Sequence, residues 1–510
     1  MSEIIDCSQP GFRAHDLKCD VLVIGSGCGG ATAARVLAEA GKDVVLVEEG
    51  GDFVGPERLT QRDMPMYDQI YAERGGRTNV DRTINILAGR VLGGGGVINA
   101  CDVVPIHEET WNFWQRKHGF RGFSPAEMQP FLAMALDDLA ANRIAESQVN
   151  RNNQILRRGA EALGWRGELM LHNRVNCQGL GSCLIGCPAG AKRNPRMVAI
   201  PAALAAGARV YVRARAREIR DPRQAVKRVA IETLDAKGYH PQQAFAIAAG
   251  AVVVAANPVG TVAILAGSGI GNALVGQHVS LQPQVPVVAM MPEPVNAYDG
   301  IPQSFALTHF ERHDPDRGLS GFRVESIFGT PGVLGSLVSQ PGPEGKALMA
   351  RLPHVAASLV LVPDEAVGQI ELGSGGRPRV AYTLAAEWKT RARQAGRAAA
   401  EAYFAAGAEL FVVPAAPPLI LRSPADLPQI DRLTFDPGTI SLISAHQQGG
   451  VRMGATPATS ACDLGGQVWD TRHVYVMDGS VFPSTSSSHT MTPILTMAHA
   501  LAARALPNLA

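Results

Sequence analysis

The sequence predicts an α/β fold built on a Rossmann-like dinucleotide-binding unit, from three features near its amino-terminal end. A short apolar strand, Asp20 to Ile24, runs straight into Gly25-Ser26-Gly27-Cys28-Gly29-Gly30; a helical run follows over Ala31 to Ala40, and a second strand, Asp43 to Val47, delivers Glu48. The order GxGxxG puts its glycines at 25, 27 and 30. In such a turn the first glycine permits the tight bend, the second lets backbone approach a pyrophosphate, and the third lets the helix pack on the strand. Glu48 stands about twenty residues past the turn, where a carboxylate accepts the hydrogen bonds of an adenosine ribose.

The chain has 510 residues, enough for two to four folding units at about 100–200 residues each. With 54 glycines and 34 prolines it is rich in turns, yet well below the share of roughly 25–30% that marks low-complexity disorder. Charge is balanced, 47 Lys and Arg against 46 Asp and Glu, so no basic field draws in nucleic acid or acidic lipid over long range. That argues against a nucleic-acid partner. Met1 to Asp20 carry Asp6, Arg13, His15, Asp16 and Lys18 and lack the continuous apolar run of a secretory signal, which predicts a cytoplasmic protein. Eight cysteines are too few for a disulfide framework in a chain of this length.

Ala244 to Gly267 holds no charge over 24 positions, long enough by itself to span a bilayer. Its internal grammar says otherwise. Val252-Val253-Val254 reads as a buried parallel strand, and Asn257-Pro258 then turns the chain into a short helix that ends at Gly267. No transmembrane segment is expected.

The choice of nucleotide comes from the segments that follow. Ala88-Gly89-Arg90-Val91-Leu92-Gly93-Gly94-Gly95-Gly96-Val97-Ile98-Asn99 is a glycine-rich loop of the form GRxLGGxxxxN. Consecutive glycines free several backbone N–H groups for close approach to a flat ring and its phosphates. Near the carboxyl end stand Ser444 to Gly454, with His446, then Val474 to Pro483, with Asp478-Gly479, and then Thr492-Pro493-Ile494-Leu495-Thr496. Together these segments resemble the glucose–methanol–choline (GMC) oxidoreductases, nearest the branch of long-chain alcohol oxidases and sterol oxidases.

The resemblance implies FAD as cofactor, with Gly25, Gly27, Gly30, Glu48, Arg90, Gly93, Gly94, Gly95, Asn99, Asp478, Gly479 and Pro493 around it. It implies a discontinuous FAD-binding domain over 1–120, 200–275 and 440–510, and a substrate or cap domain over 121–199 and 276–439 with an antiparallel sheet, an α+β arrangement. The family's flavin-linked histidine lies in or beside the glycine-rich loop; no histidine occurs between Asp16 and Pro105, so non-covalent FAD is expected.

The resemblance also implies alcohol oxidation by hydride transfer, and such chemistry needs a base for the hydroxyl proton. A histidine suits it, with an unperturbed pKa of about 6.5. His446, in the matching segment, is the expected base. The family's second catalytic residue stands directly before a proline, which here is Thr492; a histidine lies three residues earlier at His489. Both remain candidates for the group that steadies the developing alkoxide. Asn257-Pro258 and Val262 also depart from the family pattern, with consequences for packing near the adenine side.

The expected partners are a small-molecule alcohol and an electron acceptor, either dioxygen or a quinone or protein; the sequence gives no oligomeric state. Two alternatives stay open: a non-redox lyase that keeps the flavin as scaffold and uses His446 for acid–base work only, and an iron–sulfur-containing sugar dehydrogenase catalytic subunit that passes electrons to a partner. The tail segments favour an apolar alcohol over a sugar. Ser326 to Pro343 runs eighteen residues without a charge and reads equally as an apolar lid or a buried connection. Cys177, Cys183 and Cys187 form C-x5-C-x3-C before Pro188, whose end resembles a ferredoxin-type run. An iron–sulfur cluster there is weighed against plain structural thiols and the thiols are preferred, with His172 as a fourth ligand in a zinc alternative.

Overall fold

The computed structural model describes residues 4–327, 329–338 and 342–509. Two sheets organise it. The first has eight strands, in the order Ile4–Asp6, Arg209–Val212, Val44–Glu48, Leu17–Ile24, Pro241–Val254, Lys227–Leu234 and Ala214–Arg220, with Val474–Val476 also pairing on Pro241–Val254. The five pairings that join Ile4–Asp6 through Val474–Val476 are parallel, and the two toward Ala214–Arg220 are antiparallel. Val21, Leu22, Val23, Val252, Val253 and Val254 are fully buried, as strands covered on both faces must be. The helix Cys28–Glu39 lies on this sheet and packs against the last helix, Met491–Ala505.

The uncharged stretch 244–267 is the end of the strand Pro241–Val254 followed by the helix Asn257–Gly267. Among the described residues no helix is long and apolar enough to cross a membrane.

The second sheet has nine strands and is antiparallel along its main path: Leu419–Leu421, Leu410–Val413, Gln284–Met290, Val355–Leu361, Arg323–Ser326, Phe305–Leu307 and Gly167–Leu169. Leu442–Ser444 pairs with Gln284 on one side and, in parallel, with Ile84–Ile86 on the other. These last two strands come from stretches expected to lie wholly in the FAD-binding domain. Their inward side chains, Ile84, Ile86 and Leu442, are fully buried, and sheet pairing draws them into the second layer. The helix Ala386–Ala405 covers the sheet and packs on Arg151–Ala162.

Of the uncharged segment 326–343, Pro331–Val338 is a helix that buries Leu334. Phe328 and residues 339–341 lie outside the described residues.

Candidate active site

The strand Leu17–Ile24 ends at the glycine turn, and backbone crowding dictates Gly25, Gly29 and Gly30 there. Gly25 has φ +95°, and a Cβ on it would sit 2.3 Å from the Ala255 carbonyl oxygen. A Cβ on Gly29 would sit 1.8 Å from the Met477 oxygen, and one on Gly30 would sit 2.0 Å from the Gly25 oxygen. Gly30 therefore seats the helix on the strand and does not line the cavity. Gly94, at φ +55°, brings the second glycine loop against the first: its Cβ would lie 2.6 Å from the Gly27 Cα. The two loops frame a cavity of about 1230 Å³ that Gly25, Gly27, Gly94, Gly95, Asn99, Asp478 and Gly479 line.

Glu48 lines the same cavity, but its carboxylate is largely engaged by protein. Oε2 accepts from Ser26 N (3.0 Å) and Ser26 Oγ (2.6 Å), and Oε1 accepts from Gly50 N (2.8 Å). Burial, against these hydrogen bonds, raises its pKa. Ser26 Oγ in turn accepts from Gly93 N at 3.0 Å, so Glu48 and Gly93 act by tying both glycine loops together; Gly93 itself stays off the cavity wall. Arg90 lies over the Tyr239 ring and donates through Nη1 to the Gly238 oxygen at 2.7 Å. Asn99 donates to Met491 Sδ at 2.9 Å, and Asp478 Oδ2 accepts from Thr261 Oγ1 at 2.7 Å. A cradle of bare backbone leading from a glycine turn at a helix N-terminus to a wide chamber fits a dinucleotide, and the side-chain anchors tie that backbone in place.

At the other end of the cavity stand His446 and His489, their ring centroids 5.0 Å apart. His446 follows the strand Leu442–Ser444. Its Nδ1 lies 2.7 Å from Gln282 Oε1 and 3.0 Å from Gln284 Nε2. A proton on Nδ1 shared with the nearer amide oxygen leaves the lone pair on Nε2; rotating the Gln284 amide by 180° brings its oxygen to the same N–H. Burial, with the neighbouring His489 charge, lowers the His446 pKa to about 3, so this ring is neutral.

His489 is the opposite case. Its Nε2 is 3.1 Å from Glu325 Oε2 and 3.4 Å from Asp102 Oδ2, and all three residues are buried. Burial alone disfavours the imidazolium, yet Glu325 and Asp102 outweigh it and raise the pKa. Glu325 is paired on its far side with Arg323, whose Nε is 2.8 Å from Oε1; His489 and Arg323 hold the carboxyl down as an anion. Burial and the Glu325 charge instead raise Asp102 to about 7. Its Oδ1 is buried without a hydrogen-bond partner. One neutral and one cationic imidazole thus face the same chamber.

Thr492 and Pro493 lie in the first turn of the last helix, buried and off the cavity wall; Thr490, Met491 and Ile494 line it instead. The Thr492 hydroxyl has no hydrogen-bond partner. The sequence reading missed Asp102, Gln282, Gln284, Arg323 and Glu325. Asp102 stands three residues past Asn99, the one local signal that pointed to it.

Cys177, Cys183 and Cys187 do not converge. Among the described residues the only set of three or more Cys, His, Asp or Glu ligand atoms lying within 4.8 Å of one another is that of Asp102, Glu325 and His489, whose carboxylates already face His489 and Arg323. Cys183 turns inward to the thiol of Cys101, beside Arg174. His172 bonds Asn142 through Nε2 at 2.7 Å. The Cys183 carbonyl, with those of Val97 and Asn99, accepts from the buried Lys192 ammonium.

Cradle and chamber together define an FAD-dependent oxidoreductase, and a model of an FAD binding domain matches residues 18–74. The two models of the GMC oxidoreductases match residues 67–284 and 363–498. The chain belongs to the GMC oxidoreductase family. It is 30% identical to an uncharacterised GMC-type oxidoreductase of Mycobacterium tuberculosis, across 95% of this chain and 75% of that one. It is 25% identical to a long-chain-alcohol oxidase of Arabidopsis thaliana, across 98% of this chain and 69% of the relative. Pyridoxine 4-oxidase from Mesorbium loti shares the fold, with TM-score 0.68 at 16% identity over 95% of this chain and 99% of that one. Formate oxidase does so with TM-score 0.71 at 13% identity, over 98% and 100%.

Proposed function

We propose that the protein oxidises the CH–OH group of an alcohol to an aldehyde or ketone, with dioxygen as acceptor, and that His446 is the base. The observation that carries this reading is the pair of buried imidazoles, 5.0 Å apart on the wall of the cavity, one set against side-chain amides and the other against carboxylates. Bound FAD supplies the hydride acceptor. His446 Nε2 accepts the hydroxyl proton, since its depressed pKa leaves it unprotonated at working pH. His489, cationic between Glu325 and Asp102, sets its positive charge beside the substrate oxygen and steadies negative charge there as it develops. Gln282 fixes the His446 ring so that Nε2 faces the chamber.

Ile327, Leu359 and Leu361 line the cavity alongside Gln284 and Gln303, which supports an apolar alcohol whose hydroxyl end alone is polar. The likeness to long-chain-alcohol oxidases over nearly the whole chain supports the same substrate class and oxygen as acceptor. The test is anaerobic mixing of the yellow protein with aliphatic alcohols of increasing length and with sugars. Bleaching that grows with chain length, and peroxide formed on readmitting air, are the expected results. Bleaching by sugars alone removes the apolar substrate, and no bleaching by any alcohol removes the oxidation itself. FAD is held without a covalent link on this reading, so acid precipitation releases the yellow colour to the supernatant; a yellow pellet refutes it.

A further inference from the structure

A second cavity, of about 460 Å³, lies behind His489. Ser486, Ser487, Ser488, Arg323, Glu311 and His313 are among its walls. His489 bridges the two spaces. It lines the flavin cavity, and its Nδ1 is 3.2 Å from Ser488 Oγ, which belongs to the second. Ser488 Oγ also accepts from Arg323 Nη1 at 2.9 Å, and that guanidinium stands 3.2 Å from Glu311 Oε2. Glu311 Oε1 lies 3.5 Å from His313 Nε2, and the His313 ring stacks on His107 with centroids 3.7 Å apart. His107 is exposed, so this series of polar groups runs from the buried imidazole to solvent. The second cavity also holds buried polar atoms that nothing in the protein satisfies, Ser486 Oγ and His313 Nδ1 among them. Such atoms in a space of this size call for water.

The charge balance of the site gives the cavity its purpose. Around His489 stand Glu325 and Arg323 from one strand, Asp102 from the segment after the second glycine loop, and His446 across the chamber, with Glu311 beyond Arg323. When the alcohol's proton arrives on His446, two imidazolium rings face each other at 5.0 Å in a buried site, and like charges so placed expel a proton. The Nε2 side of His489 faces carboxylates, whereas the Nδ1 side faces a hydroxyl on a wet wall.

The geometry points to the second cavity as the proton port of the active site, with Ser488 as its gate: His489 passes its Nδ1 proton to Ser488 Oγ as the Ser488 hydroxyl proton passes to water, and the proton leaves past Glu311, His313 and His107. This inference rests on the oxidation proposed above. In the balance, the C–H bond breaks with its electron pair going to the flavin, the hydroxyl proton goes to His446, the carbonyl forms, and one proton leaves through the port. A proton returns the same way when the site is reset.

The test follows flavin bleaching and proton release together, in anaerobic stopped flow of the holoenzyme in weak buffer with a pH-indicator dye. In the unaltered protein release keeps pace with bleaching. In Ser488→Ala release falls behind bleaching by about a hundredfold or more, the lower end of what a positioned proton-transfer group contributes, and Ser488→Thr, which keeps the hydroxyl, restores the pace. Glu311→Gln gives a smaller lag and serves if Ser488→Ala fails to fold. Release that keeps pace in these variants, or no release from the unaltered protein, overturns the port. A second readout needs no substrate: exchange of the His489 Nδ1 proton with deuterated solvent, followed by NMR, slows in Ser488→Ala, and an unchanged rate overturns the proposal. If no alcohol bleaches the flavin, the oxidation reading fails and this exchange measurement alone decides the port.

Discussion

The two ends of the flavin cavity are built by opposite means. The cradle end is built by backbone: Gly25, Gly29, Gly30 and Gly94 sit where a Cβ would meet another main-chain atom, and the side chains around them tie loops together. The chamber end consists of side chains. Asp102, Gln284, Glu325, His446 and His489 arrive from five separate stretches of sequence, and each sets the state of another. A backbone site fails when atoms overlap, so its changes are steep and act on folding and FAD binding together. A charge network fails by shifting protonation, so its changes act on rate and on pH dependence while the fold stands.

The steepest expected effect is at the cradle. Gly30→Ala forces a methyl group to within 2.0 Å of the Gly25 carbonyl oxygen. It costs at least about 3 kcal/mol, the upper range for overpacking, because main chain must move. Protein with little bound FAD and a lowered Tm is expected; full FAD occupancy at an unchanged Tm would erase the contrast between the two ends. His446→Ala is the counterpart at the chamber. It leaves FAD bound and slows anaerobic flavin reduction by about 10²–10⁴-fold, the usual contribution of a positioned acid–base group. A loss of only a few-fold would take His446 out of the base role.

Glu325→Gln sharpens the comparison through pH. In the unaltered protein the raised His489 pKa keeps the imidazolium present below and through the ordinary histidine range, and the charge is lost only as pH rises through the raised value. His446 titrates near 3, far below. Neither imidazole therefore titrates as a free histidine, pKa about 6.5, and a change in flavin reduction near neutrality belongs to Asp102, which burial and the Glu325 charge raise to about 7. Without Glu325, one of the two carboxyl groups that oppose burial at His489 is gone, only Asp102 remains, and the charge is lost at lower pH than in the unaltered protein. The rate at neutral pH then falls by about tenfold and recovers on acidification, with FAD binding unchanged. A flat profile in this variant would show that Glu325 does not set the charge of His489.

The smallest effect is at Thr492. Its buried hydroxyl lacks a partner, so Thr492→Val removes an unsatisfied polar group. Stability is unchanged or rises by up to about 1 kcal/mol, and flavin reduction stays within a few-fold. A large loss of rate would return Thr492 to the site and weaken the claim of His489.

The sequence by itself determined the cradle. A strand, a glycine turn, a helix and a second strand follow one another locally, so spacing announces them, although the atoms that crowd Gly25 and Gly29, at Ala255 and Met477, come from distant stretches. The same holds for 244–267, where Asn257-Pro258 divides strand from helix within one run. Sequence order also put His446 in a recognisable segment. It did not settle His489 against Thr492, because which residue of 489–493 faces the chamber depends on how the last helix starts, at Met491, and on what the chain before it packs against. Nor did it announce Glu325, which sits mid-strand in Arg323–Ser326 like any charged residue of a sheet until Arg323 and His489 close on it. The three cysteines show the converse: close in sequence, they form no ligand set among the described residues, and Cys183 turns inward to Cys101. Backbone conformation is written in neighbours along the chain, whereas charge state is written in neighbours across it, and only the tertiary structure brings those together.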